Sequence, residues 1–406
     1  MGKILEYIQE SGNGKYLCYK TKKMSLDASD NDTIAYNYDD NPVVQTTKNM
    51  FAETDRSRQS TVSLHNFLNT TTTPPPIFRY FLDGSRHTYK VDDIAIGKKI
   101  FPIVAGQIIV GCCERKDRDT FKKFDNVRSK IVIAMPDDFD DDDGGENFCR
   151  SYCEGLNEEI SKIPFIKERG IKIEKLLLYK TDGNTGDKEK DNYKSRAIAK
   201  IQNEMTDEEQ LLVSELCRQN KLDDESWLIK DGSLEYKTNF SNLDSTQWNN
   251  MRANYQNVVG VSKMFDPELL PDYEGNRLSQ TIASLNPFER TKVYRYESKH
   301  KHRDGSSFSS FYAVWYLRLR GGKKESRNFR ETSFSDVVKC EMALLQEDKP
   351  IDTDIINVIS ANLIREAYPV CYGSDTRWAN HLYPVFLTES FCKSHYIDND
   401  VILNLF

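Results

Sequence analysis

Twice in this chain an Asp-Gly-Ser tripeptide closes a run of β-branched and aromatic residues, in IFRYFLDGS at Asp83 and in WLIKDGSLEY at Asp231. Such runs predict strands, so each Asp is expected as a carboxylate at a strand's end. Glycine there permits a sharp exit and a close backbone approach, and serine can bond locally to the turn. Two ordinary strand-ending turns are the alternative, since Asp-Gly is common in hairpins. Recurrence of the whole pattern favours a shared role for the two carboxylates.

A chain of 406 residues suffices for one large domain with insertions, or for two domains. With 29% charged residues and a net charge of −7 it has no global basic field, so any nucleic-acid channel must be locally basic. Nine cysteines include no paired CxxC pattern, and Cys149 and Cys153 have no matching Cys or His pair nearby. Reduced, buried thiols in a cytoplasmic protein are expected from that usage. The N-terminal stretch MGKILEYIQESGNGK lacks an apolar signal core, and no run of 18 apolar residues occurs, so neither export nor membrane insertion is expected.

In chain order, residues 1–76 form an irregular N-terminal extension. It holds a short helix at 3–9 and ends in the rigid NTTTTPPP, and it packs beside the main domain or against a partner. Strands follow at 77–83, 87–96, 101–115 and 129–136, joined by short turns as an antiparallel meander. DDFDDDDGG (137–145) lacks the alternating ligands and distal Glu of a calcium loop and is expected as a solvated loop. A helix at 146–162, a strand at 171–182 and a flexible loop at 181–192 come next.

The helical region 193–219 carries an apolar stripe of Ile198, Ile201, Met205, Leu212 and Leu216. Thr206 and Glu209 have capping-box spacing, which allows a break into two helices. Beyond the second Asp-Gly-Ser strand a helix is expected at 245–256, then a strand at 258–265 that places Lys263 near its end. Strands at 292–298, 311–320 and 336–345 precede an amphipathic helix at 352–366. His300 and His302, in the basic loop between the first two, face solvent. Thr388 is expected to cap a last short helix with Glu389 in its first turn. The alternation of strands and helices makes the chain α/β.

Carboxylates therefore arrive from separate places: Asp83 and Asp231 from strands, Glu208 or Glu209 from a helix, and Glu389 from the C-terminal helix. An oxygen-rich set of this kind suits Mg²⁺ or Mn²⁺. Two such ions can activate water and stabilise the leaving oxygen in phosphodiester hydrolysis, with no Ser or Cys nucleophile. Lys263 and His381 would be auxiliary, one contacting phosphate and the other transferring or orienting a proton. A strand-end lysine is otherwise simply a solvated cation.

Taken in order, the LDGS strand, the Glu-bearing helix, LIKDGSLEY, VVGVSK and HLYPVFLTES resemble the NurA-type nucleases over roughly 77–397, with 398–406 left as a C-terminal tail. That resemblance implies an RNase H-like mixed β-sheet with flanking helices. It also implies an Mn²⁺- or Mg²⁺-dependent DNA nuclease, a homodimer working with a HerA-type hexameric ATPase in DNA-end processing or phage defence. Asp83 and Asp231 match the two metal-binding aspartates, and the helix glutamate maps to Glu209, with Glu208 the alternative. The family's Tyr-Pro precedes a helix bearing Ala-Asp or Ala-His. Here Tyr383-Pro384 leads into Thr388-Glu389, so Glu389 or His381 takes the last role. Asp83, Glu209, Asp231 and Glu389 are thus the implied metal ligands, joined by Lys263 and His381 as catalytic residues.

Arg318, Arg320, Lys323 and Lys324, beside the aromatics of 311–316, are candidates for the DNA path or else a charged hairpin tip. A non-catalytic DNA clamp or assembly subunit is the rival class. No GxxxxGK[ST] phosphate loop occurs, so ATP hydrolysis would come from the partner. The apolar groups of the N-terminal extension and of VILNLF (401–406) fold back onto the domain or order against that partner.

Overall fold

The structure is a computed structural model. It describes residues 3–12, 15–19, 23–26, 45–57, 59–69, 75–118, 120–139, 145–181, 192–234, 252–263, 265, 272–273, 276–301, 307–320, 334, 336–345, 349–367 and 382–406. It is α/β with one large mixed sheet. Strands β1 (Phe78–Ile96), β2 (Lys99–Arg115) and β3 (Phe121–Pro136) form the antiparallel meander read from the sequence. β4 (Lys175–Tyr179) runs parallel to β3 at one edge.

On the other side of β1, β5 (Trp227–Asp231) pairs parallel with it over Phe78–Leu82. β6 (Val258–Ser262) runs parallel to β5. The antiparallel strands β7 (Tyr294–Lys301), β8 (Ser307–Arg318) and β9 (Val337–Leu344) complete the order β4-β3-β2-β1-β5-β6-β9-β8-β7.

One boundary differs from the sequence reading. β1 continues through Asp83-Gly84-Ser85, because β2 pairs with it on both sides of that tripeptide, Asp83 opposite Gly111 and Ser85 opposite Ile109. The chain turns instead at Gly97, whose φ of 59° suits a residue without a Cβ. What ends at residue 82 is the parallel partner on the other edge, so Asp83 stands where β1 loses its β5 neighbour.

Residues 1–76, expected as an irregular extension, supply short elements along this sheet. Tyr16–Tyr19 and Met24–Ser25 pair with the second half of β1, Gln45–Phe51 pairs with β7, and Thr61–Ser63 pairs with Glu289–Thr291.

Six helices build the site and the cores around the sheet: α1 (Lys3–Ser11), α2 (Gly145–Ile160), α3 (Tyr193–Arg218), α4 (Thr353–Glu366), α5 (Tyr383–Lys393) and α6 (Asn399–Leu405). α3 begins at Asn192, whose side chain accepts from the Lys194 amide. It does not break at Thr206, whose hydroxyl donates back to the Gln202 carbonyl at 3.1 Å within an unbroken helix. The stripe Ile201, Met205, Leu212 and Leu216 is buried against β1 and β2, each such side chain contributing about 1.5–3 kcal/mol. Alternation along the strands sends Phe81, Ile229 and Val261 to the opposite face, where α4 and α5 pack. A separate core lies toward the far end of β1–β3, built with α1, α2 and α6.

There the C-terminal tail takes the first of the two courses read from the sequence and folds back onto the domain. Ile402, Leu405 and Phe406 are buried together with Ile4, Leu5 and Ile8, so the apolar groups of both termini are spent within the domain. The acidic run begins as a turn in which Asp137 accepts from the amide and hydroxyl of Thr181, and Phe139 is buried. Its residues 140–144, positions 245–251 of the helix expected at 245–256, and 182–191 of the loop expected at 181–192 lie outside the described residues.

Candidate functional site

Parallel pairing brings the two aspartates together. Leu82 is in register with Lys230, so one residue further on Asp83 and Asp231 occupy neighbouring positions on adjacent parallel strands. They share parity with Phe81 and Ile229 and so face α5. Asp231 is in turn in register with Val261 of β6, two residues before Lys263.

The Lys263 ammonium closes this corner. Nζ lies 2.9 Å from Asp231 Oδ2 and 3.5 Å from Glu389 Oε2. Burial opposes its charge, but Asp231, Asp83 and Glu389 outweigh that effect and raise its pKa.

Glu389 arrives on α5, and here the local reading changes. The helix starts after Leu382 with proline in its first turn, so Glu389 lies at its middle. Thr388 is not its cap. Its hydroxyl, buried in mid-helix, bonds the carbonyls of Phe81 (3.2 Å) and Pro384 (3.0 Å), which ties α5 to β1 two residues before Asp83. Cys392 adds a contact to the Asp83 carbonyl at 3.6 Å. Opposite Asp83, Gly111 makes room for this helix, since a Cβ there would sit 2.7 Å from Cys392 Sγ.

Glu209 approaches from α3 on the other face, through a gap that Gly84 leaves. A Cβ on Gly84 would lie 2.4 Å from Glu209 Oε1 and 3.1 Å from Met205. Lys230 pairs with Glu209 Oε2 at 3.1 Å and donates to the Asp231 carbonyl at 2.8 Å, which fixes the glutamate beside the strand ends. Glu208, the neighbouring candidate, is committed elsewhere. It pairs with Lys130 at 2.6 Å and Arg128 at 3.2 Å on β3. Geometry therefore puts Glu209 with the aspartates and Glu208 away from them.

The two Asp-Gly-Ser copies are built differently. Gly84 is an extended residue kept small by Glu209, whereas Gly232 has φ 87° and turns the chain out of β5. Ser85 accepts from the Tyr396 hydroxyl at 2.6 Å. Ser233 donates to Glu341 Oε2 at 2.7 Å, and the same oxygen accepts from the Leu234 amide at 2.8 Å. Burial penalises the Glu341 charge, but Lys339, Ser233 and Leu234 overcome this and lower its pKa. Glu341 thus stays ionised and pins the exit of β5 just beyond Asp231. Lys230 and Glu341 were not singled out from the sequence. Their one signal there is a charged residue inside an otherwise apolar strand run.

Asp83 carries a heavy electrostatic penalty. Burial and then Asp231 push its carboxyl well above the usual range; Lys263 opposes this, while Glu389 and Glu209 add to it. Four carboxylates face three lysines, since Lys393 also pairs with Glu389 Oε1 at 2.7 Å, and oxygen donors still in excess fit a hard divalent cation. Among the described residues, however, no three His, Cys, Asp or Glu side chains already stand at the spacing of a metal-holding group. Lys263 occupies oxygens of two of the four.

Other residues singled out from the sequence fall elsewhere. His381, His302, Lys323 and Lys324 lie outside the described residues. Arg318 pairs with Asp336 at 2.7 Å and donates to the Leu285 carbonyl, and buried Arg320 bonds the Ala367 carbonyl. Both arginines therefore brace the end of β8. Cys112, Cys113, Cys153, Cys340 and Cys392 are buried thiols. Among the described residues no helix is long and apolar enough to cross a membrane. No protein-family profile and no curated protein matches the chain.

Proposed function

We propose that this chain is a divalent-metal-dependent DNA nuclease with an RNase H-like core, of the NurA type that its motif order resembles. One observation carries the reading: Asp83 and Asp231 sit side by side on parallel strands, and Glu209 and Glu389 reach that point from helices on the two faces. A meander that continues into β5 and β6, both parallel to β1, supports the RNase H-like core.

In this reading Asp83, Asp231, Glu209 and Glu389 hold Mn²⁺ or Mg²⁺. Bound there, the metal supplies an activated water and neutralises charge at the scissile phosphate. The protein's own contribution is positioning. Glu341 and Gly232 fix the end of β5, Thr388 ties α5 to β1, and Lys230 sets the angle of Glu209. Lys263, with or without His381, offers a cation to a phosphate oxygen. The partner expected from the family is a HerA-type hexameric ATPase, with the nuclease as a homodimer.

The test is cleavage of end-labelled linear DNA with Mn²⁺, with and without such an ATPase and ATP. Metal-dependent cleavage, extended along long duplexes only under ATP hydrolysis, is the expected result. Binding of DNA with no cleavage under any metal would point instead to a non-catalytic clamp.

A further inference from the structure

Lys263 touches two of the proposed metal-holding carboxylates at once, 2.9 Å from Asp231 and 3.5 Å from Glu389, on a side chain only 8% exposed. It lies just past the last paired residue of β6, Ser262. Lys230, by contrast, is committed on the other side of the strand to Glu209 and a backbone carbonyl. An ammonium and a divalent cation cannot share the same carboxylate oxygens, because like charges at contact distance repel strongly in a partly buried site. We propose that Lys263 is the resident counter-cation of this carboxylate set and competes with a divalent metal ion for Asp231 and Glu389, so that it sets the metal concentration at which the site fills. This rests on the metal-dependent nuclease proposal and adds a threshold to it.

The pairing also gives the acidic cluster a reason to hold together. Without Lys263, Asp83, Asp231 and Glu389 would repel one another across a corner that Thr388 and Cys392 hold close, with Lys393 neutralising only the outer oxygen of Glu389 at 2.7 Å. Lys263 offsets that repulsion until a metal ion takes over, at which point its ammonium must withdraw and becomes available to phosphate.

The experiment is calorimetric titration of the full chain with Mn²⁺, comparing wild type, Lys263→Gln and Lys263→Arg. Lys263→Gln is expected to tighten apparent Mn²⁺ affinity about tenfold or more, while Lys263→Arg stays near wild type. In thermal unfolding, Lys263→Gln should melt lower than wild type without metal and gain more from saturating Mn²⁺. A readout that needs no variant is acetylation of Lys263 in the wild type, followed by mass spectrometry. It should speed up when Mn²⁺ saturates the site.

Unchanged or weaker affinity in Lys263→Gln, or unchanged acetylation of Lys263 in Mn²⁺-saturated protein, would overturn the competition. A wild type that cleaves DNA with Mn²⁺ while showing either result loses only this inference. A wild type that neither binds Mn²⁺ nor cleaves DNA removes the metal reading, and the competition with it.

Discussion

A carboxylate at position 83 works against the resting fold. Its folded pKa lies above its unfolded one, so the native state holds the proton more tightly. Stability is then greatest where the group is protonated and falls as pH rises from about 4, its unfolded value, through the higher folded value. Asp83→Asn should therefore raise the melting temperature of the metal-free protein at pH 8, with the gain vanishing near pH 3; a melting series in chelator checks this. On the nuclease reading the same change abolishes cleavage, so stability and activity move in opposite directions. The adjacent glutamates separate just as cleanly. Glu209→Gln should abolish cleavage, because Glu209 is the one turned toward Lys230 and Gly84. Glu208→Gln should keep cleavage and cost on the order of 1 kcal/mol of stability through its lost partners Lys130 and Arg128. Paired rates and denaturant midpoints distinguish the two. From the sequence each sits at helical spacing from both Met205 and Leu212, and the family resemblance preferred Glu209; the packing of α3 against β1 separates them.

Among the elements, β1 and α5 show what a sequence can and cannot reveal. The meander, the long α3 with its apolar stripe and the strand before Lys263 were legible, because hydrophobic period and turn residues specify them locally. The unbroken course of β1 through Asp83-Gly84-Ser85 was not. Gly84 looked like a turn residue, but its role is to admit Glu209 from 125 positions downstream in a helix, and no local rule encodes that approach. Thr388 was misread for a similar reason. A mid-helix threonine resembles a cap until its bond to the Phe81 carbonyl is seen. Gly84→Ala follows from this geometry. The new methyl would meet the Glu209 carboxylate and Met205, so those side chains must give way, with about 1–3 kcal/mol lost. Cleavage should fall with it while far-UV circular dichroism stays unchanged, since the Glu209 carboxylate is displaced and the helix does not unfold.

At the scale of the whole molecule, the chain closes on itself through its ends. α6 and α1 share one core, and the segment around Ala52 is held by a fully buried pair, Arg290 to Glu53 at 2.8 Å, with Arg290 also bonded to Asn357 of α4. Glu53→Ala would leave Arg290 buried without its carboxylate and should cost about 3–5 kcal/mol, read from a denaturant midpoint. From the sequence this closure was one of two readings, because the first 76 residues are uneven and polar and the apolar groups of the last six could equally have ordered against a partner. The claim on which everything functional depends is that Asp83 and Asp231 form one metal-dependent centre. The direct measurement is cleavage of end-labelled linear DNA by wild type, Asp83→Asn and Asp231→Asn, in Mn²⁺ and in chelator, with circular dichroism on all three. A metal-dependent centre gives cleavage by wild type in Mn²⁺ alone and none by either folded variant. Near wild-type cleavage by either variant, or undiminished wild-type cleavage in chelator, would contradict it.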